Sequence, residues 1–255
     1  MKKILAAICL FAALMGTLGC GGSQTAGTKP AEKKELIVGT EPSFAPFEFP
    51  DKQSGELTGF DLDLIKAMGK KAGFEKVTVK GMGFDALIPA LDAGNIDVAI
   101  AGMSITDARK QKVNFTDPYY ESGLATVVRK DNNAIKSLED LKGKTIAVQL
   151  GTTGADAAGK IEGATVKTFD TSDTACLELK NGGVDAVISD LPVLQYFLKQ
   201  GGSEYAKMVG EPTKGDMYGI ATAKKNKELS DKLNKALGEL KKSGEYQKIY
   251  DKWFK

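Results

Sequence analysis

Histidine is absent from all 255 residues. Ser-His-Asp triads, histidine general bases and imidazole metal sites are therefore excluded. Charge, hydroxyl and aromatic surface remain as chemistry. Taken one at a time, these residues say little. Arg109 follows Asp107 and by itself reads as a surface arginine near a helix start, with Ser104 or Thr106 as the capping hydroxyl. Thr152 and Thr153 stand between Gly151 and Gly154, a turn that alone signals only a loop and a helix cap. Phe44, beside Ser43 and close to Pro42 and Pro46, is less core-like than Phe84. Cys176, within a TACLELK run, reads as a small core hydrophobe rather than a nucleophile.

The elements that must position these side chains alternate strand and helix. A short apolar run at 36–40 reads as a strand, and 60–73 as a helix with Leu64, Ile65, Met68 and Ala72 on one face. Val77 and Val79 alternate with polar residues as in a strand. Residues 86–93 read as a helix stopped by Gly94, followed by a buried strand over 96–101. Further strands are expected at 123–129, 144–149, 165–169, 184–188 and 217–221, and helices at 153–161, 172–181, 190–199 and 226–241. Such alternation predicts an α/β fold with largely parallel sheets, in which ligands bind beyond the carboxyl ends of strands.

A weak internal repeat sharpens this. Residues 91–102 align without gaps to 179–190, sharing Gly, an aliphatic residue and Asp in one register. Two related lobes follow. Their strand ends, Ala101–Gly102 and Ser189–Asp190, are expected to face one cleft from opposite sides.

Residues 1–19 carry Lys2 and Lys3 followed by an uncharged apolar stretch from Ile4 to Leu18. That is shorter than the ~20 residues a membrane-spanning helix needs and reads as an export signal. Cys20 then precedes a small, polar stretch to residue 35, as a flexible tether would. The segment resembles a bacterial lipoprotein signal with Cys20 as the lipidated residue, although Thr17 stands where that signal usually has Leu. With Cys9 removed and Cys20 lipidated, Cys176 is left without a disulfide partner. The formal net charge of +2 falls to zero once Lys2 and Lys3 leave, so nucleic acid is not an expected partner. Residues 224–255 hold ten Lys and five Asp or Glu. The leucine stripe at 229, 233, 237 and 240, and the stripe of Tyr246, Ile249, Tyr250 and Trp253, favour a solvated lysine face over a packed core, ahead of a membrane-surface helix.

Eight segments together carry a family resemblance: GTEPSFAPFEF (39–49), GFDLDLI (59–65), FDALIPAL (84–91), AGMSITDARK (101–110), FTDPYY (115–120), DLKGKTIAVQLGTTG (140–154), GGVDAVISD (182–190) and IYDKWF (249–254). In order and spacing they resemble the polar amino-acid-binding proteins of bacterial ABC importers. These belong to the periplasmic-binding-protein type II family, with glutamine-, arginine- and lysine/arginine/ornithine-binding members. The resemblance implies two α/β lobes, 36–122 with 217–255 and 123–216, joined by hinges near 119–125 and 214–219. It implies a monomer that captures one free L-amino acid and delivers it to a membrane permease, without metal or cofactor.

It also assigns roles. Arg109 takes the ligand carboxylate bidentately, helped by backbone N–H groups at Thr152 and Thr153. Asp190 takes the ammonium, with the carbonyl of Gly102, next to Ala101, and the hydroxyl of Ser104. Phe44 and Phe84 sandwich the side-chain stem. Glu41, Gln149 and Ser189 face its distal end. Glu41 without an opposing cation favours arginine or lysine, with glutamine close behind. The resemblance keeps one alternative open, a cyclohexadienyl dehydratase-like enzyme on the same scaffold, with Glu41 or Asp190 as its acid–base group. The sensor domain of a signalling protein is a third, less favoured reading.

Overall fold

The structure, a computed structural model, describes residues 34–255. The expected signal, the lipidation site Cys20 and nearly all of the tether lie outside the described residues. Each lobe is a five-stranded sheet with helices on both faces. In the first, the chain runs through β1 (Glu35–Thr40), a small hairpin of β2 (Phe49–Pro50) and β3 (Leu57–Thr58), α1 (Phe60–Lys71), β4 (Lys76–Gly81), α2 (Leu87–Asp92), β5 (Val98–Ala99), α3 (Asp107–Lys112) and β6 (Val113–Phe115). It leaves through β7 (Tyr120–Ser122). The second lobe contains β8 (Leu124–Arg129), β9 (Thr145–Gln149), α4 (Thr153–Ala158), β10 (Thr165–Phe169), α5 (Ser172–Asn181), β11 (Ala186–Asp190), α6 (Leu191–Lys199) and β12 (Ala206–Val209). The chain returns through β13 (Asp216–Tyr218) to β14 (Ala221–Ala223), then α7 (Lys227–Ser243) and α8 (Glu245–Phe254).

The sheet orders are β4-β1-β5-β14-β6 and β10-β9-β11-β8-β12. In each, the first three strands are parallel and the last two pairings are antiparallel. The expectation of largely parallel sheets is therefore corrected to mixed ones. The cause is connectivity. β7 and β13 form an antiparallel ribbon, with Tyr120 opposite Tyr218. A chain that arrives in a lobe from this ribbon enters the sheet against its parallel strands, as β8 and β14 both do. The single strand expected at 217–221 is for the same reason two: 216–218 belongs to the ribbon and 221–223 to the first sheet.

The two repeat strands, β5 and β11, hold the same place in the two sheets. The shared aspartate explains why. Asp97 accepts from the Ile37 N–H at 2.8 Å through Oδ2, while its own N–H donates to the Ile37 carbonyl. Asp185 makes the same pair of bonds with Thr145, its Oδ2 accepting at 2.8 Å. Each Asp thus locks the start of its strand to the neighbouring parallel strand. The predicted strand 96–101 narrows to two residues with ladder pairing, flanked by this clasp.

Helix boundaries follow local chemistry. α1 begins after Gly59, whose φ of 135° disfavours a side chain and where a Cβ would stand 2.0 Å from the Phe47 carbonyl oxygen. Asp61 and Asp63 in its first turn and Lys70 and Lys71 in its last complement the helix dipole. α5 is bounded by the Thr171 cap and by Gly182 in the left-handed region, at the predicted limits. α7 buries Leu229, Leu233, Leu237 and Leu240, so its lysines are a solvated face. Trp253 packs edge-on against Phe49 and donates to Asp63 Oδ2 at 2.9 Å. Cys176 is buried and free, its thiol pushed up to about 12 by desolvation. No helix among the described residues is long and apolar enough to cross a membrane.

Candidate functional site

The sheets bring their strand ends together. Gly102 follows β5 at a φ of 53°, where a Cβ would stand 2.5 Å from the Phe44 ring. Glycine is required there because the aromatic lies directly on the backbone. Asp190 ends β11 from the other side. Between them is a small cavity lined by Phe44, Phe84, Gly102, Ser104, Arg109, Gln149, Thr152, Thr153 and Asp190.

Arg109 sits on α3, whose cap is Thr106; its Oγ1 accepts from the Arg109 N–H at 3.2 Å. Thr106, rather than Ser104, therefore caps the helix. Ser104 is freed to pair as an isolated antiparallel bridge with Tyr218. The Arg109 guanidinium donates through Nη1 to the Ser104 carbonyl at 2.7 Å and through Nη2 to the Gly151 carbonyl at 3.0 Å. The second bond joins one lobe to the other. Its Cζ lies 5.2 Å from the Phe84 ring centroid, so the ring holds the guanidinium plane from beneath. Burial lowers the Arg109 pKa, opposed by Asp190, Asp156 and Asp216.

Asp190 is buried, and its Oδ1 accepts from the Tyr218 hydroxyl at 2.6 Å. Desolvation pushes its carboxyl up to about 7, against the pull of the Tyr218 bond and of Arg109. With its single proton on Asp190, the Tyr218 hydroxyl accepts from Ser122 Oγ at 3.1 Å. It is fully buried in the return crossover. The residue-by-residue reading missed it; the only sequence signal was its place in the expected hinge at 214–219.

Thr152 caps α4: its Oγ1 accepts from the Ala155 N–H at 3.2 Å and donates to the Gln149 carbonyl at 2.8 Å. The helix begins at Thr153, the expected start of the 153–161 helix, and stops earlier, at Ala158. At the far end, the Gln149 side chain donates through Nε2 to the Asp170 carbonyl at 3.0 Å and accepts through Oε1 from Ser172. Ser172 in turn meets the Ser189 hydroxyl at 3.1 Å. Glu41 is buried, with Oε1 taking a 2.6 Å bond from Ser43 and Oε2 unpartnered. Burial raises its pKa, Gln149 eases the charge and Asp173 adds to it. The charge that Asp173 adds is thus of the same sign as that of Glu41. Glu41, Ser189 and Ala101 do not line the cavity: Glu41 and Ser189 stand behind the Gln149 end, and Ala101 packs into the core with Phe84 and Leu87. Phe84 and Phe44 do line it, both largely buried.

Residues 36–255 match the family described as bacterial extracellular solute-binding proteins, family 3. A probable histidine-binding protein of Campylobacter jejuni is 37% identical over 99% of both chains. The arginine-binding extracellular protein ArtP of Bacillus subtilis is 38% identical over 100% of this chain and 98% of its own. Among solved structures, an ancestral arginine-binding protein bound to arginine superposes with a TM-score of 0.84 at 53% identity, covering 88% of this chain and 99% of the other. An ancestral amino-acid-binding protein, a precursor of cyclohexadienyl dehydratase, gives a TM-score of 0.80 at 42% identity, over 87% of this chain and 96% of that one.

Proposed function

The chain belongs to family 3 of the bacterial extracellular solute-binding proteins, and from that premise we propose that it captures one free cationic L-amino acid between its lobes and presents it to an ABC permease. Arginine or lysine stands ahead of glutamine. One observation carries this reading: a half-buried guanidinium and a buried carboxyl, Arg109 and Asp190, face one cavity from opposite lobes. A free amino acid presents a carboxylate and an ammonium one carbon apart. Such a zwitterion satisfies both groups, and its removal leaves both under-compensated. Arg109 then exchanges its two carbonyl acceptors for the ligand carboxylate, a stronger, bidentate partner. The N–H groups at the start of α4 converge on the same carboxylate. Asp190, Gly102 and Ser104 hold the ammonium, and Phe44 and Phe84 cover the stem.

The distal end decides the side chain. Glu41, behind Gln149 rather than on the cavity wall, offers a buried, unpartnered Oε2 to a side chain long enough to reach past Gln149. A guanidinium or ammonium supplies the missing charge, while a glutamine amide supplies only a donor. The relatives named for arginine support the first, and the relative named for histidine fits a cationic class more broadly. Closure follows from the site being split between lobes: only the closed state presents Arg109 and Asp190 together, so a ligand that bridges them shifts the population toward it. The family and the polar stretch after Cys20 support an exported, lipid-anchored monomer.

Calorimetric titration of ligand-stripped protein with arginine, lysine, ornithine, histidine, glutamine and glutamate tests the reading. Tight one-to-one binding of a cationic amino acid is expected. Glutamine alone keeps the receptor and removes the charge argument. Binding of none by folded protein moves the reading to the dehydratase-like alternative, tested with prephenate and arogenate. Arg109→Ala is expected to weaken binding by ~10²–10³-fold, the consequence of leaving a buried carboxylate without its cation.

A further inference from the structure

Beneath the cavity lies a pair of acids that touches no ligand position. Glu48 and Asp61 are each fully buried. Asp61, in the first turn of α1, accepts through Oδ2 from the Gly102 N–H at 3.0 Å and from the Tyr119 hydroxyl at 2.7 Å. Its Oδ1 and both carboxyl oxygens of Glu48 have no hydrogen-bond donor in the protein. Glu48 faces Asp61. Three adjacent buried carboxyl oxygens without a donor are untenable as two anions. One added proton resolves the arrangement, because a protonated Glu48 donates to Asp61.

The surroundings offer no other resolution. The titratable groups acting on the pair are acids and tyrosines: Glu41 beside Glu48, and Tyr119, Tyr218 and Tyr246 around Asp61. The helix start favours the negative charge on Asp61, so the proton resides on Glu48. Burial holds Glu48 well above the usual carboxylate range, and Asp61 lies at about 6. Tyr119, raised further still, stays a donor.

The pair joins three parts of the proposed site. Glu48 ends the loop that carries Phe44, and its backbone carbonyl accepts from the Phe44 N–H at 2.8 Å. Asp61 holds the Gly102 amide and therefore the peptide whose carbonyl is proposed to face the ammonium. Tyr119 enters the first crossover. We propose that Glu48 and Asp61 share a single proton and act as a positioning unit, pinning the Phe44 loop, the Gly102 strand end and the hinge at Tyr119 into the binding geometry. The inference rests on the amino-acid reading above for what is positioned, but not for the proton itself.

Infrared difference spectra of wild type against Glu48→Gln, taken at neutral pH with and without added arginine, test the proton directly. The C=O stretch of a buried carboxylic acid is expected in wild type and lost in Glu48→Gln. Unfolding against pH gives a second readout. A group whose pKa is raised on folding loses stability as pH rises through its folded value. The unfolding equilibrium of wild type is therefore expected to worsen by about tenfold per pH unit relative to Glu48→Gln, above the unfolded glutamate value near 4.5. Glutamine mimics the protonated acid, so Glu48→Gln should bind arginine much as wild type does. Glu48→Ala, which leaves Asp61 short of a donor, should bind about tenfold more weakly.

An absent acid band, a pH-independent stability difference, or Glu48→Gln as damaging as Glu48→Ala overturns the proposal. If Glu48→Ala does not fold, the spectrum and pH slope of Glu48→Gln decide alone. A protein that shows the band and the slope yet binds no amino acid retains the shared proton and overturns the ligand reading instead.

Discussion

Arg109 and Asp190 are opposite charges in one cavity, yet they do not pair with each other. Arg109 rests on two backbone carbonyls and Asp190 on a tyrosine hydroxyl. Carbonyls and hydroxyls are weaker partners than full charges, and burial accordingly pulls Arg109 down and Asp190 up to about 7. An ammonium reaching Asp190 must find it ionised. Affinity is therefore expected to rise with pH toward 7 and level off above it, by at most about tenfold per unit. Asp190→Asn should bind weakly and without that slope, as measured by titration calorimetry between pH 5 and 9. At the other end of the ligand, Glu41→Gln removes charge but keeps shape. It should weaken arginine or lysine more than glutamine, and equal losses in a competition assay would take Glu41 out of the specificity role.

The Asp97 and Asp185 clasps show how an element earns its place in the sequence. Each clasp satisfies a backbone N–H at the start of a short parallel pairing, where the ladder has few bonds of its own. Removing either carboxylate leaves that donor unmet. Asp97→Ala and Asp185→Ala should each destabilise by ~1–3 kcal/mol in urea unfolding, and a null effect at either would show that its clasp is dispensable. Gly102 is a different case. Any side chain there meets the Phe44 ring and a strained φ. Gly102→Ala should fold with a ~1–2 kcal/mol loss and displace Phe44, so affinity falls further than stability.

Across the whole molecule, the crossovers decide the topology. Two strands join the lobes, and Gly123 passes them so closely that a Cβ would stand 1.8 Å from the Thr213 carbonyl. Gly123→Ala should spread the ribbon and weaken ligand-induced compaction in small-angle scattering, while leaving each sheet intact. Electrostatics act at this scale as well. Glu41, Glu48, Asp61 and Asp190 all have raised values in the fold. Each therefore binds its proton more tightly folded than unfolded. The empty protein should lose thermal stability as pH rises from about 4 to 7, and a cationic ligand should restore it.

Elements and family were legible in the sequence because they rest on local patterns. Hydrophobic period gave away α1 and α7, the repeated glycine marked the end of α5, and eight spaced motifs carried the family. The repeat at 91–102 and 179–190 was also readable, since its aspartate does the same local job twice. Only the tertiary structure placed the ribbon, and with it the antiparallel strands, because a short apolar run carries no record of which way its neighbours point. It alone revealed Tyr218, Glu48 and Asp61. Each is an ordinary residue in its own segment, and its importance comes from burial against groups 28, 13 and 58 positions away.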